Sequence, residues 1–189
     1  MILKRKWSNL AIAVGINILF FILAMVFCDT KYEVSDDFVM ATIMSGAYGD
    51  SPNPQLIFAN TLLGYFLLPF YMVLPDISWY LIFQLILCLI SFILVTYMLL
   101  ERLDKHVALL FIVLLLTVFS DDVYILPQFT KTAVLAVMAG GISFLWNIFY
   151  KKSVFLLITS FLVCLLGTWT RFLAIYVAGG FILFLLVHE

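Results

Sequence analysis

The feature that most constrains this chain is a succession of apolar runs, most of which approach the length that crosses a lipid bilayer. Seven such runs cover residues 10–28, 56–74, 79–100, 107–119, 129–149, 154–168 and 172–187. A membrane-spanning helix needs about 20 consecutive apolar residues. The sequence therefore predicts an all-α fold, a polytopic transmembrane bundle of six to seven membrane helices in a single membrane domain over residues 1–189.

Composition excludes several classes of protein. Of the 189 residues, 66% are hydrophobic and 11% are charged, whereas about a quarter of the residues of a soluble domain are charged. A soluble globular protein and a disordered chain are excluded. The formal net charge of −1 offers nucleic acid no electrostatic footprint, so we expect no nucleic-acid partner. The expected surroundings are the lipid bilayer, with a partner membrane subunit as an open alternative.

The first apolar run is predicted to be an uncleaved transmembrane helix. Lys4, Arg5 and Lys6 precede it, as basic residues also precede the apolar region of a signal peptide. That region, however, is usually about 7–15 residues long and ends in small residues. Residues 10–28 form a longer run that ends in Phe27 and Cys28.

The distribution of basic residues predicts that segment 56–74 does not cross the membrane. Lysine and arginine concentrate in cytoplasmic loops. If the segment does not cross, seven basic residues lie inside and two lie outside. If it crosses, four lie inside and five lie outside. The seven are Lys4, Arg5, Lys6, Arg102, Lys105, Lys151 and Lys152, and the two are Lys31 and Arg171. We therefore expect six crossings in the cell membrane, with a cytoplasmic N-terminus.

The longest polar stretch lies in the extracytoplasmic loop, residues 29–55. Its middle is predicted to form a short helix that begins at Ser35 as N-cap and stops at Gly49. One apolar stripe along that helix suits a position on the membrane surface. Its members are Val39, Met40, Ile43, Met44 and Ala47.

Two acidic pairs are the candidate catalytic groups. Asp36-Asp37 and Asp121-Asp122 fall on the same outer face in the six-crossing topology. One pair could act as general base on a hydroxyl, and the other could hold a divalent cation or a second hydroxyl. The alternatives are a capped helix N-terminus for the first pair and a solvated turn before Pro127 for the second. No metal site is predicted, and the cofactor is unknown.

Two cations at outer helix ends are candidate lipid-phosphate ligands. Lys131 and Arg171 each have aromatic neighbours in the sequence, and an arginine can hold a phosphate through two hydrogen bonds. The alternative is that each cation snorkels to the interface or forms a salt bridge with an outer aspartate.

Several short motifs resemble an uncharacterised multi-pass membrane family of Gram-positive bacteria. They read Ser35-Asp36-Asp37-Phe38-x-Met40, Ser45-Gly46-Ala47-Tyr48, Pro54-x-Leu56-Ile57-Phe58-x-Asn60, Leu74-Pro75-x-Ile77-x-Trp79-Tyr80 and Gln128-Phe129-Thr130-x-Thr132-Ala133. The layout of one crossing followed by an acidic outer loop resembles the GT-C superfamily of membrane glycosyltransferases. These enzymes use lipid-phosphate-linked sugars. They usually run well beyond 189 residues, so the chain corresponds to their front module and could be the N-terminal part of a longer protein.

The resemblance implies an activity and assigns roles. Asp36 or Asp37 would be the catalytic base of the first outer loop, and Asp121 or Asp122 a further acid. Lys131 and Arg171 would hold the phosphate of a polyprenyl-phosphate-linked sugar donor. The first hypothesis is thus transfer of a hexose or pentose to a cell-surface acceptor. The alternatives are a non-catalytic accessory or truncated module and, third, a lipid or solute transporter.

Overall fold

A computed structural model describes residues 2–49 and 51–187 of the chain, with side chains for residues 8–49 and 51–180. The described part is helical and contains no strand. Its elements are α1 (Ile2–Phe27), α2 (Ser35–Ser45), α3 (Thr61–Val73), α4 (Trp79–Arg102), α5 (Lys105–Ser120) with a π-helical end (Asp121–Ile125), α6 (Phe129–Trp146) with a π-helical end (Asn147–Lys151), α7 (Val154–Thr170) and α8 (Ala174–Val187).

The prediction of a helical membrane bundle is confirmed. Four helical stretches in the described residues are long and apolar enough to cross a bilayer: Ser8–Phe27, Trp79–Arg102, Lys105–Ile125 and Phe129–Lys151. Helices α3 and α7 are apolar but shorter. Many large apolar side chains on the outside of the bundle are exposed, as expected of a protein whose solvent is lipid.

Contacts at the helix ends define two faces of the bundle. Near the start of α1, the Asn9 amide donates to the Leu100 carbonyl (3.3 Å) and to Glu101 (2.9 Å) at the end of α4. Lys151, at the end of α6, also pairs with Glu101. We call this end the basic face, defined by Arg102, Lys105, Lys151 and Lys152. The other end is the acidic face, defined by Glu33, Asp36, Asp37, Asp121 and Asp122.

Helix α3 begins and ends at the acidic face. The backbone N–H of Asn60, its N-cap, donates to the Trp169 carbonyl at the end of α7 (2.9 Å). Near its other end, the Tyr71 hydroxyl accepts from the backbone N–H of Tyr80 at the start of α4 (3.0 Å). Its 13 residues also extend only about 20 Å, less than the hydrocarbon thickness. This placement agrees with a segment that does not cross.

The loop helix differs from its predicted boundaries. Helix α2 starts at Ser35, with Val34 rather than Ser35 as N-cap, and it ends before Gly46 rather than at Gly49. Gly46 adopts a left-handed conformation (φ 83°), which favours glycine and terminates a helix. The buried face consists of Asp37, Met40, Ala41 and Met44. Helix α2 packs on α3 and α4 with this face, so one acidic residue lies on its buried side.

Helix α5 is longer than the apolar run 107–119 that predicts it. Helix α5 begins at Lys105, and the π-helical end carries it through Asp121 and Asp122 to Ile125. The Leu126 N–H bonds the Asp121 carbonyl (2.9 Å). The alternative of a simple turn at the second acidic pair is therefore wrong. The helix continues because the wider π-helical turn still provides hydrogen-bond partners for the backbone N–H and C=O groups there.

Small residues allow helices α6 and α7 to pack closely. A Cβ added at Gly140 of α6 would lie 2.6 Å from the backbone nitrogen of Cys164, and one at Gly167 of α7 would lie 2.8 Å from the Ala136 Cβ. Such contacts exclude any larger side chain, as is typical of membrane helix interfaces. The pair fixes the position of the α6 N-terminus relative to the end of α7.

The placement of α3 predicts the topology of its flanks. In a variant whose three native cysteines are replaced, single cysteines at Gln55 and Asp76 should both react with a membrane-impermeant maleimide added to the same side of the membrane. A cysteine at Lys152 should react only from the opposite side. Reaction of positions 55 and 76 from opposite sides would mean that α3 spans the bilayer.

Candidate functional site at the acidic face

The loop between α1 and α2 is held against the end of α5. The N–H groups of Lys31 and Glu33 donate to the carbonyls of Ile125 (3.0 Å) and Pro127 (3.2 Å), and the Thr30 hydroxyl donates to the Tyr124 carbonyl (3.0 Å). Pro127 has no N–H with which to return a bond. These bonds bring the segments that carry the two acidic pairs side by side.

Asp37 is a fully buried carboxyl at the junction of three helices. Its side chain is 0% exposed. The Gln84 amide of α4 donates to Oδ1 (2.7 Å), and the backbone N–H of Phe129 lies 3.2 Å from both carboxyl oxygens. Asp37 thus caps the N-terminus of α6 from another helix. The positive end of a helix dipole favours an acidic group there.

The polar cluster around Asp37 continues into the bundle. The Thr132 hydroxyl donates to the Gln84 amide oxygen (3.4 Å), and the Cys88 thiol donates to Thr132 (3.5 Å). All of these side chains are buried. Tyr80, Gln84 and Cys88 repeat every four residues along one face of α4, and this spacing was the available signal for the cluster.

Burial dominates the electrostatics of Asp37. Removal from water raises the pKa of this carboxyl above its ordinary value, and the neighbouring Asp36 acts in the same direction. The hydrogen bonds from Gln84, Phe129 and Tyr80 lower the pKa but do not outweigh burial. Asp37 therefore has the character of a positioning group that ties α2 to α4 and α6.

Asp36 differs from its neighbour, although the sequence treats the two as equivalent candidates. It lies in the first turn of α2 and is only half-buried. No hydrogen bond or ion pair engages its carboxyl among the described side chains. Of the first pair, Asp36 is the carboxylate that remains available to a ligand.

Lys131 is neutralised by two carboxylates. Its ammonium lies 2.8 Å from Glu33 and 2.5 Å from Asp122. The salt-bridge alternative thus describes this lysine better than a phosphate ligand does. Asp122 serves as its partner, although Asp121 and Asp122 are both exposed. Glu33 was not among the predicted site residues, because nothing in its local sequence indicates a partner nearly a hundred residues away.

Arg171 directly follows α7 and reaches the start of α6. Its guanidinium donates to the Thr130 hydroxyl and lies 4.9 Å from the centre of the Phe129 ring. No carboxylate pairs with it among the described side chains. Asp37 and Arg171 therefore contact the same residue, Phe129, one through its backbone N–H and the other through its ring.

An open cleft of about 930 Å³ lies beside this junction. Its walls are loop 30–35, turn 75–78 and the side of α2 that carries Ser35, Phe38 and Thr42. The side chains of Asp36 and Asp37 are not among those that line it. The Tyr32 hydroxyl bonds Ser78 across the cleft (2.9 Å), and burial raises the pKa of Tyr32. The lining is mostly apolar, with hydroxyl and carboxylate groups among it.

Within residues 2–49 and 51–187, no group of three or more histidine, cysteine, aspartate and glutamate side chains is arranged to hold a metal ion. Comparisons of the chain with protein-family profiles, curated proteins and solved structures find no match.

Replacing Asp37 should destabilise the bundle. In Asp37→Ala the buried Gln84 amide and Phe129 N–H lose their acceptor, which costs about 1–3 kcal/mol. Asp36→Ala, the matched control, should change the free energy of unfolding by no more than about 0.5 kcal/mol. Equilibrium unfolding in detergent micelles measures both. Equal effects would contradict the distinct roles of the two carboxyls.

The stability contributed by Asp37 should depend on pH. Because its pKa is raised in the folded state, the native protein binds this proton more tightly than the unfolded chain does. Stability relative to Asp37→Asn should therefore fall as pH rises from about 4, the ordinary carboxyl value, through the raised pKa. Parallel unfolding measurements on the two proteins test this. A relative gain in wild-type stability over that window would show that hydrogen bonding outweighs burial.

Proposed function

We propose that this chain is a GT-C-like membrane glycosyltransferase module. It would transfer a sugar from a polyprenyl-phosphate-linked donor to a cell-surface acceptor at the acidic face, which the positive-inside rule assigns to the extracytoplasmic side. The observation that carries the proposal is the arrangement around Phe129. The Asp37 carboxyl and the Arg171 guanidinium, which has no carboxylate partner among the described side chains, meet at one helix N-terminus, and Asp36 directly precedes Asp37 in α2.

Arg171 is the proposed ligand of the donor phosphate. Its guanidinium donates to a neutral hydroxyl and packs on an aromatic ring, so its positive charge is not neutralised by an acid. Arginine matches phosphate geometry through paired donors. At the end of an apolar helix it would meet a phosphate at headgroup depth, with the lipid chain in the bilayer.

Asp36 is the proposed base. As the acceptor hydroxyl attacks the anomeric carbon, its proton passes to the Asp36 carboxylate and the bond from the sugar to the phosphate oxygen breaks. The electron pair of that bond remains on the polyprenyl phosphate, where Arg171 would stabilise the charge. The acceptor would reach this carboxylate from the cleft past Ser35, which precedes Asp36 in α2 and lines the cleft.

Asp37 and Lys131 take supporting roles in this proposal. Asp37 sets the position of α2 on the α6 N-terminus. Lys131 joins the loop to the end of α5 through Glu33 and Asp122. Neither side chain would touch the substrate.

A non-catalytic accessory role is the second candidate. The observation that favours it is that two of the predicted site residues are already engaged by other groups, Asp37 by hydrogen bonds and Lys131 by ion pairs. A module that only packs against partners would need this rigidity and no phosphate binding.

Arg171→Gln should weaken binding of polyprenyl phosphate. Loss of a charge-assisted interaction predicts an increase in Kd of about tenfold to a hundredfold. Binding can be followed as the rise in the thermal unfolding temperature of the detergent-solubilised protein, with the uncharged polyprenol as control ligand. Lys105→Gln, which removes an exposed cation at the opposite face, is the matched control variant.

A transfer assay separates the two candidate functions. With polyprenyl-phosphate-linked hexose or pentose donors, the wild type should transfer sugar and Asp36→Asn should not, while it still binds polyprenyl phosphate. If wild-type protein and Arg171→Gln respond equally to polyprenyl phosphate and no transfer occurs, the accessory role is the correct one.

A further inference from the structure

An apolar groove lies between α1 and α7. The two helices both pack on α4, but not closely on each other, and α4 forms the floor between them. The groove has a volume of about 600 Å³ and an almost entirely apolar lining. Leu10 and Val14 of α1, Ile93 and Tyr97 of α4, and Phe155 and Thr159 of α7 line it.

The groove occupies the half of the bundle nearest the basic face. Tyr97 and Ser153 mark its end at that face, and Ile90 lies towards the middle of α4. The rise of a helix over residues 90–97 gives a length of about 10 Å. A helix lying in the groove would therefore contact it over only about two turns, a small part of the length of a membrane-spanning helix. A lipid chain fits this space better than another helix.

Positive charge lies at the mouth of the groove. Lys152 is exposed and is held in a left-handed conformation (φ 51°) next to Ser153, which lines the groove. No acidic side chain pairs with Lys152 among those described. The adjacent Lys151 pairs with Glu101 and lies 5.6 Å from the Tyr97 ring. A phosphate at this position would complement the charge that Lys152 leaves unbalanced.

We propose that the groove holds an acyl chain of an anionic phospholipid, with the headgroup phosphate at Lys152. The apolar lining and the short length of the groove favour an acyl chain, and the lysine without an acidic partner favours an anionic headgroup. This site lies at the opposite face from Arg171 and does not depend on the proposed glycosyltransferase activity. The role of the acyl chain is to fill the space that α1 and α7 leave open between them.

Native mass spectrometry of the purified full chain tests this site. The protein is exchanged into detergent containing equal amounts of phosphatidylglycerol and phosphatidylcholine of the same chain length. Wild-type protein should retain about five times as much phosphatidylglycerol as phosphatidylcholine, because one lysine near an anionic headgroup favours binding by about that factor. Lys152→Gln should lose the preference while still retaining lipid.

A second variant tests the groove itself. Thr159→Trp places a bulky side chain in it and should reduce retention of both lipids, whereas Leu114→Trp, on the exposed side of α5, should leave retention unchanged. Equal retention of the two lipids by wild type, or lipid retention unaffected by Thr159→Trp, would overturn the proposal. The proposal would also be overturned if the wild type were a dimer and Thr159→Trp dissociated it without loss of lipid. A second copy of the chain, rather than a lipid, would then occupy the groove. Lys152→Gln alters only an exposed side chain, so the headgroup prediction remains testable even if Thr159→Trp fails to fold.

Discussion

The buried carboxyl of Asp37 is the interaction on which the acidic face depends. It joins the loop helix α2 to α4 through Gln84 and to α6 through the Phe129 N–H. A carboxyl in an apolar bundle is tolerated only when donors surround it. Because the same N-terminus also receives Arg171 through the Phe129 ring, the position of one helix end determines where both the carboxyl pair and the free cation lie.

Much of the fold follows from the sequence because membrane helices are encoded locally. Apolar length predicts the helices, and the lysine and arginine distribution indicates a segment that does not cross, in agreement with α3. Boundaries were less predictable. Gly46 and Gly49 are equally good helix terminators by residue type, and the choice depends on the packing of α2 against α3 and α4. The π-helical end of α5 has no comparable local signal.

The candidate site was predictable in composition but not in roles. The sequence makes Asp36 and Asp37 equal candidates for a catalytic carboxyl. In the structure their burial differs, because helix periodicity places Asp37 on the packed face of α2 and Asp36 beside that face. Likewise, Lys131 and Arg171 look similar in the sequence, because each is a cation at a helix end. The fold distinguishes them, since it places Glu33 and Asp122 against Lys131 and leaves Arg171 without a carboxylate partner among the described side chains.

Helix α3 has a mechanical consequence for the bilayer. Since it begins and ends at the acidic face, as α2 does, the protein displaces more lipid from the leaflet at that face than from the other. The groove between α1 and α7 narrows the protein further in the opposite leaflet. The molecule is therefore wedge-shaped, and such a shape favours a bilayer curved so that the leaflet at the acidic face is the expanded one.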